Sequence, residues 1–133
     1  MEIKSLIFYF VSATALMSCT TLAFDAHKLT EVYVADFNSE DMEHCRPSDV
    51  DLSHSQAKEF FTRAKLVDTK ILHDHYNHAP CYIEGTLKYK SKPCDWEIRA
   101  GATGHITCGK VTEYFACDNC NDLFKSKSAP SHN

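Results

Sequence analysis

The chain has 133 residues, a formal net charge of −4, 44% hydrophobic and 24% charged residues. That is one domain's worth of polypeptide, and its acidic balance argues against a general nucleic-acid binder, which needs cationic side chains to neutralise phosphates. Seven cysteines behind an apolar N-terminus point instead to an oxidising compartment and a small fold stapled by disulfides.

Met1 to Lys4 is a short region with one lysine, Leu6 to Met17 is apolar, and Ser18 to Ala23 is built of small residues. This is the grammar of a secretory signal. Thr21-Leu22-Ala23 suits cleavage after Ala23, giving a signal peptide over 1–23. Leu16-Met17-Ser18-Cys19 suits a bacterial lipoprotein signal, which would leave Cys19 lipidated and give the protein its one contact with a membrane. Against lipidation, Thr20 to Val34 does not read as a polar tether. A retained anchor is a third reading, because Ser5 to Phe24 carries no charge and a span needs about 20 residues; its Ser/Thr-rich second half speaks against it. Either cleavage removes Cys19 from the pairing count and leaves Cys45, Cys81, Cys94, Cys108, Cys117 and Cys120, an even number.

Residues 24–124 then form a single domain, and 125–133 (KSKSAPSHN, with Phe124 before it) read as a polar, disordered tail. Glu31 to Asp36 alternates weakly, as a first strand would. Asn38 to Asp49 reads as an acidic loop. Asp36, Glu40, Asp41, Glu43, Asp49 and Asp51 face only Arg46 there, which reads either as a solvated surface or as an acidic face for a basic partner. Ser53 and Gln56 form a capping box. Ala57, Phe60, Phe61 and Ala64 follow on one face of a helix expected over about 54–65.

From Leu66 the period changes to two, and five antiparallel strands are expected near 66–76, 80–90, 94–100, 104–108 and 111–117. Short turns make them a meander, among them Ser91-Lys92-Pro93, the Gly101–Gly104 hairpin and Gly109-Lys110, suited to a type II′ turn. Cys81, Ile83, Leu87, Tyr89, Cys94, Trp96, Ile98, Ile106 and Cys108 belong to the inner face, and Glu84, Lys88, Asp95, Glu97 and Arg99 to a wet outer face. The expected fold is therefore α+β, with one amphipathic helix packed on an antiparallel five-stranded meander. Glu113 breaks the pattern between Val111 and Phe115, and a bulge is expected to turn it outward.

Residues 94 and 108 are symmetric about residue 101, which predicts a Cys94–Cys108 disulfide across one hairpin. Following the meander collects the other four cysteines at one end, as Cys81–Cys117 with Cys45–Cys120, and the reverse pairing satisfies the same placement. Cys117-Asp-Asn-Cys120 is a C-x-x-C motif, but it lacks the βαβ setting of a redox centre. His73, His75 and His78 lie within six residues, with His44 and His105 expected at the same end. On a strand His73 and His75 share a face, which makes the three a candidate zinc or copper site, although no known ligand spacing is matched. No nucleophile motif and no phosphate-cradling glycine loop is present, so the residues favour a non-enzyme without a cofactor.

The residues CRPSDVDLSHSQAKEFF, APCYIEGTL, DWEIRAGATGHI and YFACDNC together resemble a group of small exported bacterial proteins of uncharacterised function. The pattern is a cysteine, a helix, APC-x-x-x-G, W-x-I and C-x-x-C over Cys45 to Phe124, with Cys94 and Cys108 an addition to it. The resemblance implies no catalytic residues. By analogy of size, location and cysteine usage, some such proteins serve as periplasmic immunity partners against secreted toxins. The expectation is an exported binding module for a protein partner. The alternative is a metal-binding or thiol-redox envelope protein that uses His73 to His78 and Cys117–Cys120.

Overall fold

The computed structural model describes residues 23–124. The expected leader through residue 22, Cys19 included, and the tail over 125–133 lie outside the described residues. The architecture is α+β. Strand β1 (Leu29–Ser39) is followed by helix α1 (His54–Arg63), strand β2 (Lys65–Val67) and helix α2 (Thr69–His75). Strands β3 (Cys81–Tyr89), β4 (Lys92–Arg99), β5 (Thr103–Cys108) and β6 (Val111–Ala116) come next, and helix α3 (Asn121–Phe124) closes the chain. All six strands join one antiparallel sheet in the order β1-β3-β4-β5-β6-β2.

The four-strand meander from β3 to β6 follows the sequence pattern. Burial alternates along β3 and β4, placing Ile83, Leu87, Cys94, Trp96 and Ile98 inside. α1 starts where the capping box put it: the Ser53 amide donates to Gln56 Oε1 at 2.9 Å, and the Gln56 amide donates to Ser53 Oγ at 3.2 Å. Its Ala57, Phe60 and Phe61 are buried against the inner face. Phe61 packs edge-on to both Trp96 and Phe115, at 5.9 and 5.3 Å between ring centroids. Trp96 satisfies its one donor by bonding the Thr86 carbonyl at 3.0 Å. It also lies over Gly85, where a Cβ would collide with the Tyr33 carbonyl and reach within 2.8 Å of the Trp96 ring.

The sheet has six strands rather than five, and the difference lies at its edges. The segment expected as strand 66–76 supplies only Leu66 and Val67, the last two residues of β2, before turning into α2. Asp68 causes the turn, since its carboxylate accepts from the Ile71 amide at 2.8 Å and caps the new helix. β2 pairs with β6, at the far edge from β3. The place beside β3 belongs to β1, longer than the expected Glu31–Asp36 at both ends and interrupted by register shifts between Thr30 and Tyr33 and between Val34 and Asp36. Glu31 sits in the first shift with a left-handed φ of 50°, as a bulge permits. The Val34 amide on this edge donates to His54 Nδ1 at 2.9 Å.

The β3–β4 turn is tighter than expected. It rests on Lys90 and Ser91, both left-handed with φ of 50° and 66°, and Pro93 already belongs to β4, opposite Lys88. Gly109 has the positive φ, 62°, that its turn requires. Glu113 needs no bulge, because β5 and β6 pair without interruption and Glu113 sits opposite Ile106. It shares the inner side with buried Phe115 but is exposed, at the rim of a pocket lined by Phe24, Tyr89 and Ile106.

The disulfides are Cys45–Cys81, Cys94–Cys108 and Cys117–Cys120, with Cα separations of 5.4, 4.5 and 5.6 Å. Cys94 and Cys108 meet because the hairpin pairs Trp96 with Ile106 and Asp95 with Thr107. The expected pairs Cys81–Cys117 and Cys45–Cys120 do not form. β1 ends with Ser39 opposite Cys81, which delivers Cys45 to Cys81. Cys117 follows β6, three strand spacings from β3, and at about 4.8 Å per spacing that is beyond the reach of a disulfide. Cys117 therefore closes on Cys120 within its own turn.

Candidate functional site

The inner face is consumed by α1 and the core. The outer face is where chemistry collects. Register places Asp36, Glu84, Glu97, His105 and Tyr114 in one lateral row across β1, β3, β4, β5 and β6. The next row carries Asn38, Tyr82, Arg99 and Thr103. α2 stands over one end of these rows and encloses a cleft of about 560 Å³. His73, Tyr76 and His78 come from the roof side and Glu97, Arg99, His105 and Tyr114 from the floor. A shallower groove of about 440 Å³ continues along the sheet past Asp36, Glu84 and Asp95, sharing Glu97 and His105 with the cleft.

Arg99 organises the floor. Its Nε contacts Glu97 Oε1 at 2.8 Å, its Nη1 donates to the Ala79 carbonyl at 3.0 Å, and its guanidinium lies 4.7 Å from the centre of the Tyr82 ring. Arg99 and Glu97 have side chains only 17% and 16% exposed, so this ion pair is better shielded than the others on the surface. Arg99 also reaches Glu40 and His78, at 3.4 and 3.3 Å. His78 Nε2 lies 3.4 Å from Glu40, so one ring nitrogen faces both a donor and an acceptor. The hydrogen bond from His78, then the charge of Arg99, hold the Glu40 carboxyl below its ordinary range.

The roof is tied at its far end. Tyr76 donates its hydroxyl to Asp118 Oδ1 at 2.7 Å, and Lys65 Nζ binds Asp118 Oδ2 at 2.8 Å. Those two hydrogen bonds, Lys65 first, pull the Asp118 carboxyl below its usual value, and Asp118 raises Lys65 in return.

The candidate metal histidines are divided. His73 and His75 lie on a helix rather than a strand, where a two-residue step turns through about 200°, so they share no face. His73 and His78 line the cleft and His75 does not. Among the described residues, the sets with three potential ligand atoms within 4.8 Å of one another are Cys45/Asp49/Cys81 and Asp41/Glu43/His44. The first holds the Cys45–Cys81 disulfide, and the second is an exposed turn.

Three of the six carboxylates in the acidic 36–51 stretch, Glu40, Asp41 and Asp49, are engaged within the fold. Asp41 accepts from the Glu43 amide at 3.1 Å and from His44 at 2.6 Å, and the His44 contact leads in lowering its pKa. Asp49 accepts from the Arg46 amide at 2.8 Å, and Glu40 is held by Arg99. Only Asp36, on the lateral row, joins the open groove.

Comparison with known proteins finds no matching family model, no similar curated protein and no similar solved structure. Among the described residues no helix is long and apolar enough to cross a membrane.

Proposed function

We propose that the protein is an exported, disulfide-stapled binding module for a protein partner, acting as a periplasmic inhibitor or immunity protein. One observation carries the reading: the outer sheet face bears an open cleft lined by His73, Tyr76, His78, Glu97, Arg99, His105 and Tyr114. Tyrosine and arginine are the side chains that anchor protein interfaces, and here the floor residues stand on paired strands. The adjoining carboxylates of Asp36, Glu84 and Asp95 favour a partner with a basic surface and oppose nucleic acid. Export is supported by the N-terminal signal grammar and by three disulfides, which persist in oxidising compartments. A lipid on Cys19 would tether the module to the envelope.

A photo-crosslinking residue at Tyr114, tested in cells that export the protein, checks this. Adducts to a discrete protein from position 114, absent from Lys58 on the far face and lost in Glu97→Arg, are the expected result. Equal labelling from both positions, or none, overturns it.

The metal or thiol-redox reading keeps one supporting observation, that Cys117 is bonded to Cys120 in its own C-x-x-C. Native intact mass of the exported protein separates the two readings, since retained zinc or copper, or free thiols at Cys117 and Cys120, would favour the second.

A further inference from the structure

We propose that the Cys117–Cys120 disulfide is a redox-sensitive latch that holds α2 over the cleft. α2 has seven residues and none of them is buried. A helix that short is marginal without tertiary support, so its ends must position it. At its front, Lys65–Val67 pair with β6. At its back, Tyr76 is bonded to Asp118. The same carboxylate holds Lys65, so Asp118 ties both ends of the roof. Arg63, at the end of α1, donates to the Asn119 carbonyl at 3.3 Å.

Asp118 and Asn119 are the two residues enclosed by the disulfide, whose cysteines are three apart. β6 has ended at Ala116. Backbone bonds hold the turn at its margins, from the Cys117 amide to the Ala102 carbonyl and from the Leu123 amide to the Cys120 carbonyl, both at 2.9 Å. The sulfur–sulfur bond spans what lies between. The other disulfides have no such leverage. Cys94–Cys108 joins strands already paired by their own ladder, and Cys45–Cys81 sits beside β1, at the opposite edge from β2.

The step needs a dithiol as reductant. Its thiolate attacks Cys117 Sγ, since Cys117 is 5% exposed and Cys120 fully buried. The bond to Cys120 breaks, and Cys120 leaves as a thiolate and takes a proton. The second thiol of the reductant then displaces Cys117, which is protonated in turn, and the reductant departs as a disulfide. Two electrons and two protons have passed to the protein. The turn relaxes, Asp118 releases Tyr76, and the roof opens.

The test reads the roof itself and does not depend on the partner. The full mature chain is exposed to graded dithiothreitol, trapped by alkylation and mapped by peptide mass, with hydrogen exchange followed in parallel. The latch predicts that exchange over residues 69–76 rises at least tenfold at the step where Cys117–Cys120 opens, with β3–β5 unchanged, and that opening of Cys94–Cys108, whose Cys108 is half-buried, leaves the roof in place. The double variant Cys117→Ser/Cys120→Ser should exchange in the same way without reductant, and Asp118→Asn should loosen the roof with all disulfides intact. Opening of Cys117–Cys120 only with global unfolding, a roof unmoved by its reduction, or exchange rising equally across the sheet would each overturn the proposal. If the double-serine variant fails to fold, Asp118→Asn and the reduction series still decide the question.

Discussion

The two helices that flank the sheet are held by opposite means. α1 buries Phe60 and Phe61 completely against a face of apolar side chains. α2 buries no residue and depends on hydrogen bonds at its ends. One sheet thus provides a rigid floor and a roof of low local stability. Segments that open to admit a ligand come from the low-stability end of a structure, and the core sets the remainder. The difference assigns stability to the inner face and leaves the outer face open for the binding role proposed above.

The comparison is broken most severely from the inside. Trp96→Ala or Phe61→Ala should lower unfolding free energy by about 3–5 kcal/mol, seen as a lower urea midpoint. Gly85→Ala should cost about 1–3 kcal/mol by overpacking, because the added Cβ meets both the Tyr33 carbonyl and Trp96. Ser91→Gly should raise stability by about 1 kcal/mol, since Ser91 holds a left-handed φ of 66° that costs other L-residues about that much; thermal denaturation checks the sign. Tyr76→Phe sharpens the comparison from the outside, leaving the global midpoint within error while exchange in α2 quickens. Acid should act at the same place. The Asp118 carboxyl is lowered in the folded protein, so its tie is fully present above the ordinary aspartate range. The tie is lost as pH falls through the lowered value. Nuclear magnetic resonance of the α2 amides across that range should show the roof loosening before the sheet.

Legibility in the sequence followed the same division. Where burial imposes a period, the residues spoke clearly. The capping box at Ser53, the alternation of β3 and β4 and the symmetry of residues 94 and 108 about 101 all derive from elements with one face in the core. α2 has no buried face and so writes no period; its only signal was Asp68 as an N-cap. β1 was faint because two register shifts break its alternation, leaving partly buried Val32, Val34 and Phe37 out of step. With β1 and α2 misplaced, the long-range cysteine pairing could not follow, since it depends on which strand lies beside β3. Glu97 and Arg99 were legible as outer-face residues. The cleft above them was not, because its roof was read as strand.

The sheet's two margins carry a consequence of their own. An exposed strand edge is a template on which another chain can add. Here one margin is broken twice along β1 and has the Val34 amide capped by His54, and the other is the three-residue β2. Among the described residues β2 covers β6 only from Tyr114 to Ala116, so each margin is short or interrupted. Edges so short and interrupted resist stacking, strand upon strand, into fibres of the protein's own kind.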